Sequence, residues 1–321
     1  MGQRQDRQQE ASQRVEFDPE GNNGLILSTT YIPEELLGEI FCYIDPVTLL
    51  DLQLVCQRWK NIIQEYVWRK KAERIFGQSL QSIKDLPWCV YYHICRGKLF
   101  ERNLVKNHSA QKGLDEWHII SQGGDHWKVE KPPVGVTPLP KDPVFEGHQS
   151  CFATSYYTCT KSQSIDLVAE GFNAQILDNF PPPIMVGEWY SARWDCPAIY
   201  ELLVILVNDK RKEIDRFKFF DAIDGSKQNE WHHVSHEFKD YGPGLRKIIF
   251  KHTGKDNLFW AGHYGSKMAG ASVVFKVPQA RPDEPTTTEP RRISSASLDV
   301  DAKMYYADIE TDSDSDVNDY D

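Results

Sequence analysis

The chain has 321 residues, room for two domains and a tail, and its 40% hydrophobic content belongs to a globular protein with buried cores. No run of eighteen apolar residues is present, which excludes a membrane-spanning helix, and residues 1–16 hold no apolar stretch of the kind a secretory signal needs. The net charge of −10 belongs to one end: residues 283–321 carry twelve Asp or Glu against Arg291, Arg292 and Lys303, which leaves about −1 for residues 1–282 and no basic face to mark a nucleic-acid partner.

In chain order, residues 1–28 are polar and are expected to be disordered. Helical periodicity begins near residue 29. Thr29 and Thr30 precede a turn, Pro33 suits the first helical position, and Glu34 and Glu35 suit the positive end of a helix. Leu36, Leu37, Ile40, Tyr43 and Ile44 follow at steps of three and four. Asp45-Pro46 reads as a cap and first residue of a second helix carrying Val47, Leu49, Leu50 and Leu52, and a third runs over residues 55–64 with Cys56, Trp59, Ile62 and Ile63. Three short helices bury a marginal core, yet their apolar residues exceed one face each, so part of that surface awaits a partner.

These residues resemble an F-box. Ile32-Pro33-Glu34-Glu35-Leu36-Leu37 stands for its LPxELL opening, Val55-Cys56-Gln57-Arg58-Trp59 for its VCxxW centre, and Ile40, Tyr43-Ile44-Asp45-Pro46, Leu49, Leu54 and Trp68 keep the register. The resemblance implies a Skp-type adaptor as partner, and through it a cullin and a RING protein. Ile32, Pro33, Leu36, Leu37, Ile40, Leu49, Leu50, Leu52, Val55, Cys56 and Trp59 are the implied adaptor-binding positions.

Residues 101–278 change texture, with short β-branched and aromatic runs between Gly, Pro, Asn and Asp. The clearest strands are 127–131, 151–159, 164–170, 184–189, 199–207, 214–219, 231–238, 245–252 and 271–277. Residues 200–206 are too continuously apolar for a half-exposed strand. About nine or ten strands with so little helix predict an antiparallel sandwich or jelly roll. Arg102-Asn103-Leu104, Gly123-Gly124-Asp125, Glu188-Trp189-Tyr190-Ser191-Ala192-Arg193, Asp240-Tyr241-Gly242-Pro243-Gly244 and Trp260-Ala261-Gly262-His263-Tyr264-Gly265 occur in the order seen in the F-box-associated domain of the sugar-recognising F-box proteins.

That resemblance implies a galactose-binding-like sandwich that takes the inner chitobiose of high-mannose N-glycans on loops at one end. Sugar C–H faces pack on aromatic rings, while hydroxyls need carboxylates or amides to orient them. By position, Phe259 and Trp260 stand at the sugar platform, Tyr156 supplies a stacking surface, and Asp195 orients a hydroxyl or acetamide. The glycan-binding members carry Tyr-Trp-Lys where this chain has Phe259-Trp260-Ala261, so a phenolic hydroxyl and an ammonium are missing. Two lost polar contacts are worth on the order of 1–3 kcal/mol of affinity.

The expected organisation is α+β and multidomain. A disordered segment (1–28) leads into a three-helix F-box (29–75), a helical linker (76–100), a β-sandwich (101–278) and an acidic disordered tail (279–321). In that tail Ser294, Ser313 and Ser315 stand in kinase-like contexts. The expected role is a non-catalytic substrate receptor of a cullin–RING ubiquitin ligase. It would act in the cytoplasm on misfolded glycoproteins in ER-associated degradation. The same receptor reading a protein surface without glycan, and a lectin or chaperone acting without a ligase, are the alternatives. Seven cysteines without a CxxC pair read as buried, reduced hydrophobes. On a strand His232, His233 and His236 do not share one face with carboxylates, so neither metal nor other cofactor is expected. No nucleophile, zinc or phosphate-loop motif points to an enzyme. Asn107-His108-Ser109 has the form of a glycosylation sequon, but without a signal peptide it is expected to stay unmodified.

Overall fold

The computed structural model describes residues 24–27, 30–77, 80, 86–97 and 99–277. The expected acidic tail, with Ser294, Ser313 and Ser315, lies outside them. So do residues 1–23, but the rest of the leading segment departs from expectation: β1 (Ile26–Leu27) pairs antiparallel with β2 (Thr30–Tyr31).

The first helix, α1 (Glu34–Phe41), begins one residue later than expected. Pro33 has an extended ψ of 147° and is the capping residue, its carbonyl accepting the Leu37 N–H at 2.9 Å. Asp45 caps α2 (Pro46–Leu52) as expected, accepting the N–H groups of Val47 and Thr48 at 3.0 Å each. The third segment differs. Val55 and Cys56 precede α3 (Gln57–Ile62), which does not stop at residue 64 but runs through a π-helical turn (Ile63–Val67) into α4 (Trp68–Phe76). The sequence holds no breaker there, and Ile63, Val67 and Trp68 are all fully buried, so packing carries the helix on. Within the expected linker, α5 (Trp88–Gly97) returns on α4. Trp88 stacks on Trp68 at 6.4 Å, and Tyr92 meets Trp68 edge-on at 5.2 Å.

Leu99 and Phe100 lead from the helices into the sandwich and are buried there. Phe100 packs on Phe172, which lies 4.4 Å from Phe275.

The sandwich has ten strands. They are β3 (His118–Gln122), β4 (Lys128–Glu130), β5 (Cys151–Ala153), β6 (Cys159–Asp166), β7 (Ile184–Ser191), β8 (Ala198–Asn208), β9 (Glu213–Ile223), β10 (His232–Phe238), β11 (Leu245–Asp256) and β12 (Lys267–Phe275). One sheet has the order β10-β7-β12-β5-β4 and the other β3-β6-β11-β8-β9, all pairs antiparallel. A short helix, α6 (Ala174–Asn179), bridges β6 and β7.

One sequence expectation is corrected here and another holds. Residues 151–159 are two strands separated by the turn 154–158, because β5 and β6 belong to different sheets. The 200–206 run lies in β8, flanked by β11 and β9, and none of it is exposed, as its apolar character implied. Tyr200, Leu202, Val204 and Leu206 are buried in the core, whereas Glu201, Leu203 and Ile205 lie half-buried on the outer face.

Between the sheets the core is unusual in burying charge. Lys161 and His252, directly paired across β6 and β11, are fully buried. The Lys161 ammonium lies 3.0 Å from the centre of the Phe152 ring and 3.7 Å from that of Trp117, and His252 stacks on Trp117 at 4.6 Å. Glu188, also fully buried, accepts the Tyr200 hydroxyl at 2.6 Å and lies 2.7 Å from His252 Nδ1. Nearby Lys267 and Glu130 form a second buried pair at 2.6 Å. Burial among the rings pushes Lys161 well below the ordinary lysine value, while the carboxylate of Glu188 opposes that shift.

Candidate functional site

Four loops meet at one end of the sandwich: residues 123–126, 154–158, 192–197 and 257–266. Their backbone is cross-linked. Ser155 Oγ donates to the Gly262 carbonyl at 2.6 Å and accepts the Asp125 N–H at 2.9 Å. The Asp125 carboxylate in turn accepts the Gly262 N–H at 2.6 Å. The Asn257 N–H donates to the Pro197 carbonyl at 2.9 Å, and Asp256 N–H to Ser155 O at 3.0 Å. Gly124 is where 123–126 and 154–158 touch. Its φ is +68°, and a Cβ would stand 2.7 Å from Ser155 Oγ, so only glycine fits.

The aromatic loop is held from within. Asp256 is fully buried at the end of β11, and its carboxylate accepts the N–H groups of Leu258 at 3.0 Å, Phe259 at 2.6 Å and Trp260 at 3.2 Å. These bonds fix Phe259 in the left-handed region at φ +57°, a conformation that costs a non-glycine residue about 1 kcal/mol or more. As a result Phe259 is 59% exposed and Trp260 43% exposed on a loop that cannot fold them inward. Trp260 meets Tyr264 edge-on at 5.5 Å, and Phe259 meets Tyr157 at 6.0 Å.

Of the positions implied for a sugar, Tyr156 is half-buried, its ring 5.1 Å from that of Tyr157. Asp195 is also half-buried, with both carboxylate oxygens taken by the Arg193 guanidinium at 2.8 Å. That bidentate contact holds the Asp195 carboxyl below its ordinary range and the Arg193 guanidinium above its own. Arg193 also lies over the Tyr264 ring at 4.4 Å, which joins the acidic position to the Trp260 platform. Ala261 is exposed and adds no polar group. The Lys255 ammonium, 5.7 Å from the centre of the Phe259 ring, is a cation near the platform.

Sequence reasoning missed three parts of this site. Trp194, 66% exposed, stands between Arg193 and Asp195 and presents the largest exposed ring at this end. Tyr157 and the anchoring role of Asp256 were also missed. The signal for the anchor was present, since an Asp two to four residues before an exposed aromatic pair is the spacing at which its carboxylate captures their N–H groups.

The helical face divides along α1. Leu37, Leu49, Leu50 and Trp59, named as adaptor-binding positions, are buried in the chain's own helical core and offer no free surface. Leu52, Ile32 and Cys56 are half-buried, and Pro33 is exposed. Leu36, Ile40 and Val55 are exposed, and so are three residues not named for the adaptor: Tyr43 (81% exposed), Val47 and Leu54.

Residues 95–275 match the family "FBA: F-box associated region", and residues 29–74 match the family "F-box-like". The chain belongs to the F-box-associated family. Relatives of this F-box-associated protein include F-box only protein 6 of Bos taurus, 37% identical over 78% of this chain and 94% of its own length. F-box only protein 44 of Homo sapiens is 35% identical, over 77% of this chain and 96% of its length. F-box only protein 2 of Bos taurus is 32% identical, over 81% and 87%. Among solved structures, TmCBM61 in complex with beta-1,4-galactotriose aligns over 55% of this chain and 100% of its own, at 13% identity and a TM-score of 0.33. A family 16 carbohydrate-binding module aligns over 54% and 99%, at 14% identity and a TM-score of 0.32. Both scores are too low to carry a functional argument. Among the described residues of this F-box-associated protein, no group of three or more His, Cys, Asp or Glu could hold a metal ion, and no helix is long and apolar enough to cross a membrane.

Proposed function

We propose that this F-box-associated protein is the substrate-receptor subunit of an SCF-type cullin–RING ubiquitin ligase, non-catalytic and acting in the cytoplasm. Leu36, Ile40, Tyr43, Val47, Leu54 and Val55 form the apolar surface that docks a Skp-type adaptor, which connects to the cullin and the RING protein. The loop end of the sandwich captures the substrate. The observation that carries this division is that the helices leave large apolar side chains in solvent, although their neighbours Leu37 and Leu49 are completely buried.

The substrate we propose is an N-glycosylated protein of the high-mannose, misfolded kind, engaged through the inner sugars. Phe259 and Trp260 offer ring faces for sugar C–H groups, and the Arg193–Asp195 pair offers polar atoms beside them. Recognition of a protein surface without glycan is favoured by one observation. The polar contacts expected of a tyrosine and a lysine are replaced by Phe259 and Ala261, whereas Trp194 and Tyr157 add exposed aromatic surface.

A glycan array probed with the full chain, with Trp260→Ala as control, separates the two. Binding of chitobiose-core glycans that is lost in the variant supports the sugar reading. Silence at millimolar glycan from a chain that still pulls down the adaptor moves the substrate to the protein surface. Failure to bind adaptor at all removes the ligase reading.

A further inference from the structure

The F-box-like match starts at residue 29, and an ordered piece of chain precedes it. Leu25 is buried, its carbonyl accepting the Ile32 N–H at 2.8 Å, and the Gly24 carbonyl accepts the Trp59 indole N–H at 2.5 Å. At Gly24 φ is +83°, and a Cβ would stand 2.7 Å from Cys56 Sγ and 3.0 Å from the Trp59 ring, so the backbone lies flat on the start of α3. Alternation along an extended chain then turns Ile26 outward. Its cross-strand partner is Tyr31, and directly opposed residues point to the same side of a strand pair. Ile26 and Tyr31 are both more than half exposed, and Leu27 is exposed beside them.

Exposed apolar residues continue from this pair on both flanks. Leu36 lies in the first turn of α1, and Leu54 and Val55 stand immediately before Cys56. The Arg58–Glu34 ion pair, at 2.8 Å, ties α3 to α1 across the same region. The strand pair is seated on half-buried Cys56 and on Trp59 of the helical core, so its position is set by the F-box-like helices.

We propose that the β1–β2 pair is a second docking element for the adaptor, adding Ile26, Leu27 and Tyr31 to the helical face. The inference rests on the receptor reading above. The adaptor is the occupant because the strip borders the face assigned to it: Gly24 sits on Cys56, directly after the exposed Leu54 and Val55, and Tyr31 leads into α1 with its exposed Leu36.

The test measures adaptor affinity by calorimetry with the full-length chain. Ile26→Asp/Leu27→Asp is compared with wild type, and Ile26→Thr/Leu27→Thr serves as a second variant that keeps strand propensity while removing the apolar tips. Thermal melts verify the fold. The expected result is a loss of tenfold or more for the Asp pair and a smaller loss for the Thr pair, with unchanged melting. A wild type that binds and variants that bind within twofold of it overturn this inference alone. Unchanged adaptor affinity with loss of self-association in the ultracentrifuge also overturns it, in favour of a second copy of the chain. A wild type that does not bind adaptor overturns the receptor reading and this inference with it.

Discussion

The helices and the sandwich treat polarity in opposite ways. The helices leave Leu36, Ile40, Tyr43 and Val55 in water, while the sandwich draws Lys161, Glu188, His252, Lys267 and Glu130 out of it. A region that exposes apolar area gains stability when something covers it. In the sandwich, Glu188 is matched to His252 and Lys267 to Glu130, so that removing a partner is costly, while Lys161 is held against the Phe152 and Trp117 rings. The first region is the one that, on the receptor reading proposed above, another molecule completes. The second keeps its charged pairs inside and presents exposed aromatic rings at its loop end.

Glu188→Ala tests this difference most severely. It leaves the Tyr200 hydroxyl and His252 Nδ1 without their carboxylate, and the expected cost is about 3–5 kcal/mol in urea unfolding. Next come Leu49→Ala and Leu36→Ala as a matched pair. The buried Leu49 is expected to cost about 2–5 kcal/mol of stability, the exposed Leu36 within about 0.5 kcal/mol, with adaptor affinity falling for Leu36→Ala. Equal stability losses would erase the distinction between core and docking surface.

Asp256→Ala removes the acceptor for three loop N–H groups, with an expected cost of about 1–3 kcal/mol. Amide exchange at residues 258–260 should accelerate while the β11 ladder stays protected, and ligand binding at the loops should weaken.

A further expected effect is one of pH. Burial lowers His252 to about 4 from an ordinary value of 6.5, against the opposing pull of Glu188. The unfolded chain therefore takes up a proton that the folded chain resists. This stabilisation is fully present above pH 6.5 and is lost as pH falls from there through about 4. Urea midpoints between pH 7 and 4.5 should show the decline, and His252→Asn should flatten it. A variant with the wild-type slope would assign the dependence elsewhere, for example to His93, which burial also lowers to about 4.

Much of the architecture was legible because it follows from local chemistry. Asp45-Pro46 starts a helix by itself, and turn residues between β-branched runs imply a sandwich. What was not legible depended on partners distant in sequence. Nothing near Ile63 says that the helix continues through a π turn, because the reason is the packing around Trp68. Similarly, Leu36 and Leu37 are chemically identical neighbours in sequence, and only the tertiary fold decides which one is buried. At the loop end, Phe259 and Trp260 could be placed by resemblance. Trp194 could not, and the pairing of Asp195 with Arg193 became visible only with coordinates.

The strand β12 begins where the aromatic loop ends and finishes at Phe275, against Phe172 and, through it, Phe100. A single strand of nine residues, interrupted by a bulge at Gly270 and so somewhat shorter than the roughly 30 Å of a regular strand, thus separates whatever the loops hold from the helical end of the chain. Under the receptor reading proposed above, this spacing acts as a ruler. Cargo is held at a set stand-off, and the lysines eligible for modification are those that the cargo's own shape carries back across that gap. Shortening β12 and β7 together by two residues would therefore change which lysines are modified without changing what is bound.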